Sequence, residues 1–184
     1  PDTGNTNSSC GDGWEDTDTL GPLIDTIGTL GYTLGSGTPF VCRELERHLH
    51  TQEAQIPVGE PICFCIAPAG EGAPRAEDVI PVILRPGYVF VLHRGTWHSA
   101  SHGIGKSTRY HWLAWVDYNE PTVWQAMEGG PLRVSQIGNR PAGGMFLRLQ
   151  PVRDDPVLFF QQEVADLLVG GAKRQPQGNS PVGR

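Results

Sequence analysis

Two stretches of this 184-residue chain carry side chains that can do chemistry. The first runs from Glu44 to Gly59 and holds Arg47, His48, His50, the glutamates Glu44, Glu46 and Glu53, and the glutamines Gln52 and Gln55. The second runs from Pro86 to His98 and ends in His93-Arg94-Gly95-Thr96-Trp97-His98. Side chains alternate along an extended strand, so His48 and His50 are expected on one side. Glu53 or Gln55 can return to that side through a bend or from the next strand. His98 follows a turn expected at Arg94-Gly95 and can meet them there. Imidazoles with one oxygen donor suit divalent iron, manganese, nickel, zinc or copper. The expected metal set is therefore His48, His50 and His98 with Gln55 or Glu53, Glu53 having the stronger ligand chemistry. Arg47 is either a surface charge or a fork-shaped clamp for a substrate carboxylate. Tyr110, Trp112 and Trp115 are expected as core or as a pocket wall, because strand aromatics pack.

The elements that must hold these groups read as strands. Gly 24 and Pro 16 are high and only 18% of residues are charged, which favours short strands and turns over a helical bundle. Strands are expected over residues 38–45, 61–67, 78–84, 88–92 and 108–116, with a late one near 145–149. Pro81 should push its strand to an edge or bulge. Pro156 to Val169 has helical spacing, a proline in its first turn and Gly170-Gly171 after it, so a C-terminal helix is expected there. Residues 1–19 are small and polar and read as a flexible leader or surface arm; 20–172 read as one domain, and 173–184 as a flexible tail.

The same composition excludes some function classes. Net charge is -6 and only Lys106 and Lys173 are lysines, so no basic stripe points to nucleic acid. No stretch reaches transmembrane length and the first residues lack an apolar signal-like run, which makes a cytoplasmic protein with no membrane partner the expectation. Of the four cysteines, Cys63 and Cys65 bracket Phe64 and read as buried free thiols.

His-x-His, then an acid or amide, then a distant histidine is the metal-site pattern of cupin barrels, and Gln55 has the usual cupin spacing. Glu44-Leu45-Glu46-Arg47-His48, with Gln55-Ile56-Pro57 seven residues on, resembles the signature of ureidoglycolate lyases. Leu92-His93-Arg94-Gly95-Thr96-Trp97-His98 resembles that family's second signature. The resemblance covers roughly residues 25–118. It implies a cupin-like antiparallel β-barrel (jelly roll), a homodimer, and cleavage of ureidoglycolate to glyoxylate and urea. It implies a divalent metal ion, with His48, His98, Glu53 and His93 as candidates for moving protons. Arg47 or Arg94 would hold the small carboxylate substrate, with Tyr110 and Trp112 beside it. His50 lies outside the family pattern and favours an alternative, a metal-dependent cupin dioxygenase or isomerase. A non-catalytic cupin that binds a sugar or acid is the third reading.

Overall fold

The computed structural model describes residues 6–117, 122, 124–137, 146–152 and 162–164. Among them the regular elements are strands, apart from a short 3-10 turn at Ala76–Asp78. The chain divides into two compact units. In the smaller, β1 (Thr6–Gly11) and β2 (Trp14–Thr19) form an antiparallel hairpin exposed along its whole length. With no apolar face to bury, the hairpin rests on its backbone ladder and on polar cross-strand pairs such as Ser8 with Thr17 at 2.9 Å. The described part of the leader is thus paired backbone.

The larger unit spans Pro22–Leu167. Its strands begin with β3 (Thr29–Gly35), β4 (Phe40–Cys42), β5 (Glu44–Leu45), β6 (Glu53–Pro57) and β7 (Ile62–Ala67). They continue with β8 (Ile80–Leu84), β9 (Phe90–Leu92), β10 (Trp97–His98), β11 (His102–Gly103) and β12 (Thr108–Ala114). The last are β13 (Gln125–Ala126), β14 (Leu132–Ile137), β15 (Phe146–Pro151) and β16 (Gln162–Val164). One antiparallel sheet runs β3–β12–β6–β9, and another runs β16–β15–β14–β4. In a third, β10 and β11 pair with opposite ends of β7 while β8 pairs along its length.

The all-β expectation holds, and the sheets are antiparallel. Among the described residues they do not close into one barrel. Closure needs a partner on both edges of every strand, and β3 and β9 end their sheet. Single bridges, Glu46 with His98 and Gly37 with Gly103, tie sheets together instead. The expected helix over 156–169 is not seen where that segment is described. Gln162–Val164 is extended and pairs with β15, and the rest of it lies outside the described residues. Pro81 sits on β8, which among the described residues pairs with β7 alone and forms the expected edge.

The core is organised by β7, which is buried on both faces. Cys63, Cys65 and Ala67 face a cluster with Phe40, Leu45, Trp97 and Leu147, and both cysteines are free thiols. Ile62 and Phe64 face a second cluster with Val82, Leu84, Leu92 and Tyr110, and Ile66 packs against it. Phe64 meets Phe90 edge-on at 5.4 Å. Truncation there removes apolar contacts and leaves a cavity that β7, held on both sides, cannot collapse. Phe64→Ala is expected to cost about 3–5 kcal/mol, whereas Val58→Ala, exposed just past β6, should stay within about 0.5 kcal/mol. Urea unfolding of the two variants checks both.

Candidate metal centre

The site is set by backbone pairing before any side chain contributes. Glu46 and His98 exchange both backbone hydrogen bonds, each 2.8 Å, so they stand directly opposite each other. Opposed residues of an antiparallel pair project to the same face. His48 follows Glu46 by two residues and shares that face. The turn His93-Arg94-Gly95-Thr96 feeds β10, closed by Thr96 N–H donating to the His93 carbonyl at 3.1 Å. Gly95 takes a φ of 77°, which glycine adopts without strain, and its N–H donates to the His48 carbonyl at 2.7 Å. From the neighbouring sheet, β6 adds Glu53 and Gln55, again two residues apart.

The ligand atoms of Glu46, His48 and His98 lie within 4.8 Å of one another, and these groups could hold a metal ion. The two imidazole centroids are 5.3 Å apart. Glu53 Oε2 lies 2.7 Å from His48 Nε2 and 3.8 Å from His98 Nε2. His98 is 1% exposed, yet neither of its ring nitrogens has a hydrogen-bond partner among the described residues. His48 Nε2, at ion-pair distance from Glu53, is likewise out of hydrogen-bond alignment. Buried polar atoms are normally satisfied. Imidazole nitrogens left free toward two carboxylates are what a cation centre needs.

Behind these groups stands a polar chain. The Ser101 N–H donates to Tyr110 Oη at 3.1 Å, and Ser101 Oγ donates to Gln55 Oε1 at 2.9 Å. Gln55 Nε2 donates to Glu53 Oε1. The amide oxygen of Gln55 is therefore occupied, and Gln55 holds Glu53 in place from behind the cluster.

Burial and charge shift the site's titrations. Burial, then repulsion from Glu53, pushes Glu46 up to about 7 against the pull of His48. Burial works to lower the His48 pKa, but the contact with Glu53 and the charge of Glu46 outweigh it and raise the value. Burial lowers His98, with Glu53 opposing.

Not every expected group arrives. The bend at Leu49–His50 breaks the strand alternation, so His50 is exposed on the cavity rim and outside the metal group. His93 is exposed, with Nδ1 3.3 Å from Gln52 Nε2, and does not line the cavity. Arg94 is ion-paired to Asp25 at 3.0 Å and also lies off the cavity. Arg47 does line it; its guanidinium carbon is 4.4 Å from the Trp97 ring centre and it donates to the Gly70 carbonyl. Tyr110 and Trp112 line it as well. Glu46 is the group the sequence reading left out, although it stands two residues before His48 and the same alternation reaches it.

The cluster opens on a cavity of about 820 Å³. No protein-family model matches this chain, and no curated protein is similar to it.

Metal ligands must be deprotonated, so metal competes with protons at Glu46 and His48. Both sites are raised, and both release their protons as pH rises through about 7 and above the ordinary histidine value. The rise in Tm on adding zinc(II), relative to EDTA-treated protein, is expected to be larger at pH 8 than at pH 6. Glu46→Gln and His98→Ala should reduce it at both pH values, and His50→Ala should leave it unchanged. Thermal melts with and without metal measure all four.

Proposed function

We propose that the protein is a metal-dependent carbon–nitrogen lyase, acting on ureidoglycolate or a related α-hydroxy acid amide and releasing glyoxylate and urea. The observation that carries this reading is the meeting of His48, His98, Glu46 and Glu53 beside an open cavity. Two imidazoles and two carboxylates suit manganese, iron, nickel or zinc. When bound by Glu46, His48 and His98, such an ion would supply Lewis acidity to a substrate hydroxyl. The protein's own groups account for the proton path. Glu53, held by Gln55, accepts the hydroxyl proton as the carbon–nitrogen bond breaks and the hydroxyl carbon becomes a carbonyl. Glu53, once protonated, returns that proton to the departing urea nitrogen, while His48 stays deprotonated as a ligand. Arg47 is the one guanidinium among the described cavity residues, and its remaining N–H groups suit a substrate carboxylate.

The resemblance of both motifs to ureidoglycolate lyases supports the same reading, and with it a cupin-type jelly roll as the parent of these sheets. A homodimer belongs to the proposal too. Edge strand β3 exposes Leu30, Tyr32 and Leu34, and a second copy paired antiparallel about Tyr32 would set Leu30 against Leu34. The alternative, a metal-dependent dioxygenase or isomerase, draws support from the size of the cavity; oxygen uptake by iron-loaded protein would favour it.

Metal-loaded protein given ureidoglycolate is expected to form glyoxylate and urea in equal amounts. Glu53→Gln should lower kcat roughly 100-fold or more, and His93→Ala should change it little. A coupled glyoxylate assay reads the rate. Failure of the wild-type protein to yield glyoxylate with any of the four metals would overturn the lyase reading.

A further inference from the structure

The cavity is far larger than a ligand such as ureidoglycolate requires. Its volume of about 820 Å³ lies in the range of pockets that enclose drug-sized ligands, about 300–1,000 Å³. Its walls are also unusual in composition. The chain has five tryptophans, and Trp97, Trp112, Trp115 and Trp124 all line this cavity, leaving only Trp14 elsewhere. Trp97 is buried and carries the Arg47 guanidinium on its ring. Trp115 and Trp124 are about two-fifths exposed.

Trp112 is placed differently. It pairs with Gln55 on one side and with Gly31 on the other, in the middle of the sheet. A Cβ added to Gly31 would overlap the indole six-membered ring, so the ring lies over the glycine backbone. Part of Trp112 packs against the second core cluster, and it lines the cavity beside Glu53 and Gln55. The next inward position on β12 is Ala114, opposite Glu53, where a small side chain keeps the space before the carboxylate open. An indole fixed by a glycine seat, half-buried and next to the reacting groups, is a rigid flat surface with little conformational freedom left to lose on binding.

We propose that the natural ligand joins a metal-directed α-hydroxy acid end to a planar aromatic ring, and that Trp112, seated on Gly31, is the platform on which that ring stacks. The hydroxy acid end rests on the lyase reading; the ring does not. Offset stacking and burial of the ring favour aromatic ligands over aliphatic ones of the same head group.

The test compares two α-hydroxy acids that differ in the ring, mandelate and lactate, on the zinc-loaded full chain by titration calorimetry. Mandelate is expected to bind about tenfold more tightly and to quench tryptophan fluorescence. Trp112→Phe keeps a ring and should retain most of the preference while losing most of the quench. Trp112→Leu and Gly31→Ala, the second displacing the indole, should bring the two affinities together; melting curves confirm that the variants fold. Equal affinities in the wild-type protein would overturn the proposal, and so would a preference unchanged in folded Trp112→Leu. Ring preference without cleavage of any hydroxy acid amide would sink the lyase reading and leave the platform standing. Cleavage of ureidoglycolate without ring preference would do the reverse.

Discussion

Two carboxylates, Glu46 and Glu53, are held near each other behind apolar walls, and most of the site follows from that constraint. An isolated buried carboxylate is expensive, and two of like charge more so. The protein meets the charge in two ways. Protons are drawn in, which is why burial and mutual repulsion raise Glu46 to about 7 and the same negative charge raises His48. Fixed donors are also supplied, and Gln55 gives an N–H to Glu53. Neither neutralises the pair fully at higher pH. A divalent cation would, and the unpartnered Nε2 of His98 lies 3.8 Å from Glu53 Oε2, within the same cluster.

That arrangement depends on backbone more than on side-chain choice. The paired 2.8 Å bonds between Glu46 and His98 fix two ligands at once, and the bond from Gly95 to the His48 carbonyl fixes the third. These segments are two or three residues long and have little stability alone. They are held because Leu45 and Trp97, on alternate positions, are anchored in the cluster beneath β7. Each anchor points inward where its neighbour points to the site.

The legibility of the sequence follows the same division. The residue types foretold β7 as a strand with buried Cys63 and Cys65 and, through Pro81, β8 as an edge; spacing foretold the meeting of His48 with His98 across two distant motifs. Spacing failed where a bend ended the alternation. His50 obeys the period of two on paper, but the chain turns at Leu49, so the alternation has to be read backward from His48, to Glu46. Nothing in the residue types marks that bend, because Leu49-His50-Thr51 contains no glycine or proline. The helical spacing over 156–169 is not followed at the three residues of it that are described, for another reason. Helical spacing describes a local preference, and pairing with β15 is a non-local gain that overrides it at Gln162–Val164. Glu53 against Gln55 was open because both share a face; which one meets the histidines is decided by Ser101, a residue that neither motif points to.

The register between β6 and β12 makes the cavity wall and the charged cluster one mechanical object. Gln55 lies opposite Trp112 and Glu53 opposite Ala114, while Tyr110, on the same face, takes the Ser101 hydrogen bond. A slip of one residue would turn either Glu53 and Gln55 away from the histidines or Trp112 away from the cavity, and so separate the two. Gly31 extends the dependence to β3, since the indole keeps its place only while that strand presents no side chain beneath it. The charged end and the flat wall therefore cannot drift independently. Any ligand that touches both is measured against a distance fixed by two hydrogen-bonded ladders, and such a site discriminates by length and shape as well as by head group.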